Sequence, residues 1–241
     1  MDNLEAKLFN SEQLFSANDS SKQDLLNGYR IDVEDNDDGD LTDIEKIKCL
    51  VPIFINKEFT EFVGNGVIID SYLITAAHVA QSEDKKICYE YLYYIYDDKR
   101  YEVKDEQIVH DGRNYNYTDS IHDDLLIYKL NDNYNSFKFY EEEPSVDKLF
   151  YSKLHDYNKE NNIIKSYYNK SIYKGRNEKW ENCFDVHGIF RYNDGDSGCA
   201  VYRDDILYGI LIIGNYDTNI YKIIDAKYIK ECVENSKGKK L

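Results

Sequence analysis

From Lys48 onward the chain is written almost wholly in short runs of β-branched and aromatic residues, and this pattern restricts it to an all-β fold. Val51-Pro52-Ile53-Phe54-Ile55 reads as a first strand. Gly66-Val67-Ile68-Ile69, Asp70-Ser71 and Tyr72-Leu73-Ile74 read as strand, turn and strand. Residues 87–96 and 101–109 are aromatic and β-branched, and the 24 tyrosines of the chain fall heavily in such runs. Residues 131–146 are polar and loop-like, a crossover between two halves. The second half repeats the habit at 163–173, 181–189, 200–202, 207–213 and 220–224. Only near the end does the period change: residues 225–233 space their apolar side chains as a helix does.

Residues 1–47 differ in kind. They are polar and acidic, with short apolar patches at Leu8-Phe9 and Leu25-Leu26 that suit one or two small helices. The segment closes on Asp32-Val33-Glu34-Asp35-Asn36-Asp37-Asp38-Gly39-Asp40. Residues 34–45 nearly match a calcium-binding loop, with oxygen ligands at alternate positions, Gly39 sixth and Glu45 twelfth. Glu34 stands where aspartate is expected, so a solvated acidic stretch is the competing reading. The arm as a whole reads either as a regulatory segment that docks a partner or as a disordered tail.

Composition excludes some partners. A net charge of −16 argues against nucleic acid and against an anionic membrane, since both require a basic face. No run approaches the length of a membrane-spanning helix, and Met1-Asp2-Asn3-Leu4-Glu5-Ala6-Lys7 lacks the basic and apolar regions of a leader. The five cysteines are odd in number and lack paired spacing. Reduced thiols in a cytoplasmic protein are the expectation.

The chemistry concentrates in three places. Gly195-Asp196-Ser197-Gly198-Cys199-Ala200-Val201-Tyr202 sets a serine between glycines, ahead of an apolar run. A serine hydroxyl needs a base to take its proton and N–H donors for the oxyanion it creates. Gly195 permits the backbone bend that turns its own N–H and that of Ser197 toward one point. Leu73-Ile74-Thr75-Ala76-Ala77-His78-Val79 places a histidine, a base near neutral pH, after an apolar run. Asp124-Leu125-Leu126-Ile127 places a carboxylate at the head of another, where it would fix the tautomer of that histidine. Asp123 is the alternative, because successive strand residues face opposite sides and only one can serve. His110, His122 and His155 read as ordinary surface histidines.

Thr-Ala-Ala-His, Asp-Leu-Leu-Ile and Gly-Asp-Ser-Gly, in this order, resemble the trypsin/chymotrypsin-like serine proteases over residues 51–235. The α/β-hydrolases run in the order Ser, Asp, His and use Gly-x-Ser-x-Gly, whereas Cys199 occupies the last glycine position here. The resemblance implies two six-stranded antiparallel β-barrels with a C-terminal helix and the site between them. The first barrel, residues 48–140, would carry His78 and Asp124; the second, residues 141–241, would carry Ser197. It implies a serine endopeptidase acting on protein or peptide substrates with no cofactor. A catalytically idle module of the same fold is the competing class.

By the same resemblance, Arg191 would lie at the base of the pocket for the side chain before the cut bond, where it would pair with an acidic residue, or else swing out to solvent. Ile212, Ile213 and Gly214 match the strand edge that holds extended substrate. Val79 stands where secreted members carry a bridged cysteine, which fits the disulfide-free bacterial or viral members. No Ile-Val-Gly-Gly follows the acidic arm, so activation through a new N-terminus that pairs with Asp196 is not expected from the sequence.

Overall fold

Aspartates turn three of the hairpins. In the computed structural model, which describes residues 44–82, 86–113, 122–160 and 163–237, β2 (Phe62–Ile69) and β3 (Tyr72–Ala76) are joined by Asp70 at φ 51°. Between β4 (Tyr91–Tyr96) and β5 (Lys99–Lys104) lie Asp97 and Asp98, at φ 48° and 59°. Asp204, at φ 54°, turns β12 (Ala200–Arg203) into β13 (Ile206–Asn215). A two-residue hairpin needs positive φ to match the twist of its strands, and aspartate tolerates that region better than most side chains.

The remaining strands of the first half are β1 (Leu50–Phe54), β6 (Ile108–Asp111) and β7 (Leu125–Lys129). They form one seven-stranded sheet in the order β5-β4-β1-β2-β3-β7-β6. The second half contributes β8 (Lys138–Phe139), β9 (Leu149–Asn158), β10 (Ile163–Arg176), β11 (Cys183–Gly188) and β14 (Ile220–Asp225). Here β9, β10, β11, β14, β13 and β12 follow one another, and Tyr202 of β12 pairs with Tyr151 of β9 to close a six-stranded barrel. β8 joins as a short parallel addition to β13.

The expectation of two six-stranded barrels is therefore met in part. The second half closes; the first curls as a half-barrel of seven strands. A 3₁₀ turn, Asp105–Gln107, breaks what reads in sequence as one run into β5 and β6. Among the described residues no ladder then joins these two end strands.

The closing helix, α2 (Ala226–Lys237), buries Ala226, Ile229 and Val233 on one stripe. Ile229 and Val233 each contribute about 1.5–3 kcal/mol of burial. Asp225 caps the helix by accepting Lys227 N–H at 2.8 Å, and its buried carboxylate also meets Tyr140 and Arg176. A continuous apolar cluster runs through both sheets, with β9 packed against β1 and β2. Cys49, Cys88, Cys183, Cys199 and Cys232 all carry free thiols. No helix among the described residues is long and apolar enough to cross a membrane. Of the acidic arm, residues 1–47, only the last turn, α1 (Ile44–Ile47), is described; the calcium reading at 34–45 lies outside the described residues but for that turn.

Candidate active site

Strand register brings the histidine to its carboxylate. β3 and β7 run antiparallel with Ala76 opposite Leu125. One step beyond, Ala77 N–H donates to the Asp124 carbonyl at 3.1 Å, which sets His78 beside Asp124. The Asp124 carboxylate then accepts twice: from His78 N–H at Oδ1 (2.9 Å) and from the ring Nδ1 at Oδ2 (2.6 Å). Ala76 and Ala77 are fully buried, and their small side chains leave room for this close packing. Asp124 is 3% exposed and His78 31% exposed. A carboxylate acceptor at 2.6 Å requires the proton on Nδ1, so in the neutral ring Nε2 is the acceptor.

The two adjacent aspartates turn to different partners, and Asp124 is the one that meets His78. Asp123 faces away, accepting from His110 Nε2 at 2.7 Å and from the Tyr228 hydroxyl at 3.0 Å. The segment is held by Asn182, whose side chain accepts His122 N–H at 2.8 Å and donates to its carbonyl at 2.7 Å.

Of the three histidines expected at the surface, His122 and His155 are buried and His110 is half-buried. The His122 ring is fully buried and lies 4.0 Å from the Trp180 ring, and burial pushes its pKa down to about 4. His155 is 5% exposed. Burial opposes a charge on His110, yet its hydrogen bonds to Asp123 and Cys232 push its pKa up to about 10. Each is drawn inside by a partner distant in sequence, which the residues around it do not reveal.

The Ser197 loop is built on two positive-φ glycines, Gly195 at 91° and Gly198 at 81°. A Cβ on Gly198 would fall 2.0 Å from the Asn65 carbonyl, so the strand approach requires glycine there. The loop's other N–H groups are used internally. Asp196 N–H donates to the Asn193 carbonyl, Gly198 N–H to Leu211 and Cys199 N–H to Asp196. Those of Gly195 and Ser197 have no protein partner among the described residues. They are the pair that the sequence assigns to the oxyanion.

Asn65, which sequence reading misses, fastens this loop to the first sheet. Its N–H donates to the Ser197 carbonyl at 2.8 Å, and its Nδ2 donates to the Gly195 carbonyl at 2.8 Å. Its Oδ1 accepts His155 N–H at 3.0 Å and His155 Nδ1 at 2.9 Å. A backbone N–H can only donate, so His155 fixes which end of the amide faces Gly195. The available signal was one polar residue between glycines in an apolar strand, Val63-Gly64-Asn65-Gly66.

His78, Asp124, Gly195 and Ser197 line one cleft of about 930 Å³ between the two sheets. No hydrogen bond joins Ser197 Oγ to His78 among the described residues. Ile212, Ile213 and Gly214 also line the cleft. They continue β13 past Ile210, where its pairing with β12 ends, and Ile213 is 44% exposed. Arg191 is exposed and does not line the cleft: its guanidinium lies 4.5 Å over the Tyr216 ring. The Tyr216 hydroxyl donates to Asp194 at 2.5 Å.

A scan against protein-family models finds no match, and a search among curated proteins finds none.

Proposed function

We propose that this chain is a serine endopeptidase of the trypsin-like class, which the sequence motifs resemble. One observation carries the reading. A buried carboxylate holds His78 in the tautomer of a general base, within a cleft that also presents Ser197 and two unpartnered N–H groups. In this reading Ser197 Oγ attacks the scissile carbonyl and His78 Nε2 takes its proton. Asp124 stabilises the imidazolium, and the Gly195 and Ser197 N–H groups hold the oxyanion. His78 then protonates the leaving amine, and water, activated by the same base, releases the acyl group. The edge at Ile212, Ile213 and Gly214 would hold extended peptide by strand pairing.

The fold supports this with a closed barrel, a curled sheet and a terminal helix. Asp196, fully buried, accepts Asn193 N–H at 2.7 Å, which orders the loop from within and favours activity without a new N-terminus. The free thiols fit a reducing, cytoplasmic setting.

A fluorophosphonate probe separates this from an idle binding module. Labelling should occur on Ser197 and be lost in His78→Ala; an unlabelled wild-type chain would mean that the serine is not activated.

Asn65 should act through the loop it holds. Asn65→Ala should lower kcat by about 10²-fold, since a small misplacement of the oxyanion donors is that costly. KM should change little, because Asn65 does not line the cleft. Equal damage to both parameters, or none to kcat, would assign Asn65 to packing alone.

A further inference from the structure

On the peptidase reading, an acyl group whose oxygen sits on the Gly195 and Ser197 N–H groups, with its chain along β13, would turn its side chain into one part of the cleft. That place lies between the segment ending at Gly195 and the edge Ile212 to Gly214, both of which line the cleft. Tyr192 and Tyr221 line the cleft as well, yet each is 1% exposed. They form its floor.

This floor is raised and fixed. Tyr221 stands opposite Gly214 across the β13–β14 ladder. A Cβ built on Gly214 would fall 2.1 Å from Tyr221 Cδ1, so the ring lies directly against that backbone. The rings of Tyr192 and Tyr221 meet edge to face with centroids 4.7 Å apart. The Tyr221 hydroxyl donates to Asn219 Oδ1 at 2.7 Å and accepts Tyr192 N–H at 3.1 Å. Asn219 is itself tied to the Gly188 carbonyl at 2.5 Å. Two hydrogen bonds at its tip and backbone along its flank leave the ring no second rotamer without breaking buried contacts.

We infer that Tyr221 makes this site selective for small side chains, of the size of glycine, alanine or serine, immediately before the cut bond. The inference rests on the peptidase reading above. Arg191 does not itself line the cleft; its guanidinium stacks on the ring of Tyr216, which does. Large side chains are excluded by volume.

The test is a peptide-library cleavage profile of the wild type and of Tyr221→Gly, with fluorophosphonate labelling of both. The wild type should favour alanine, glycine or serine over leucine, phenylalanine or lysine by at least about tenfold. Tyr221→Gly should gain cleavage after leucine or phenylalanine by about tenfold or more and still label on Ser197. Tyr221→Phe keeps the ring and should keep the wild-type preference. A wild-type preference for large residues overturns the inference whether or not the glycine variant folds. An unchanged profile in a labelled Tyr221→Gly overturns it as well. A wild-type chain that does not label overturns the peptidase reading and this inference with it. One that labels but cleaves after large residues overturns the inference alone.

Discussion

Alanine at position 197 should leave a folded chain whose turnover of peptides falls by about six orders of magnitude. The size of the effect follows from how the loop is held. Its shape comes from Gly195, Gly198 and the two bonds from Asn65 to backbone carbonyls, none of which involves the serine hydroxyl. Removing that oxygen takes away the nucleophile and nothing that supports the fold. What remains would be the modest acceleration from bound substrate and the oxyanion donors. The measurement is kcat/KM on one peptide substrate beside thermal unfolding of both proteins. More than about a tenth of the activity surviving would show that Ser197 is not the nucleophile.

Asp124→Asn should cost about 10⁴-fold in kcat with little change in KM. The carboxylate now accepts from His78 Nδ1 at 2.6 Å. An amide that turns its nitrogen toward the ring moves the imidazole proton to Nε2, which can then no longer accept one from Ser197. Should the amide keep its oxygen there, its nitrogen faces His78 N–H, so one of the two contacts is lost either way. Asp123→Asn is the matched control. It removes a carboxylate of the same segment that serves His110 and Tyr228 instead, and it should leave kcat nearly unchanged. Comparable losses in the two variants would overturn the assignment of the orienting aspartate.

The three motif residues are legible in the sequence because each sits at an end of an apolar strand: His78 just after β3, Asp124 just before β7 and Ser197 shortly before β12. What is illegible is polar and buried. β9 hides because its buried positions fall on both faces and include the polar Ser152 and His155, so no apolar-polar alternation marks it. Their partners, Tyr192 at 3.0 Å and Asn65 at 2.9 Å, are far away in sequence. Asn65 and Asn182 escape for the same reason, since satisfying a buried amide is a tertiary property. Residues 101–109 look like one strand until Gln107 accepts Lys104 N–H and folds the 3₁₀ turn between β5 and β6. The floor of the pocket is unreadable as well, because Tyr221 is one tyrosine among 24 until its register against Gly214 is known.

His78 and Asp124 belong to the first sheet, but the loop of Ser197 is clamped by Leu211 and stands over Tyr221, near the far end of the chain. On the proposed reading, the residues of the base are therefore synthesised before those that shape the nucleophile. The contacts that join the two halves, such as Asn65 to Gly195, span most of the folded length and form slowly. On the proposed reading, the molecule is harmless to itself and its neighbours throughout synthesis, and it arms only when its last strands have zipped into place.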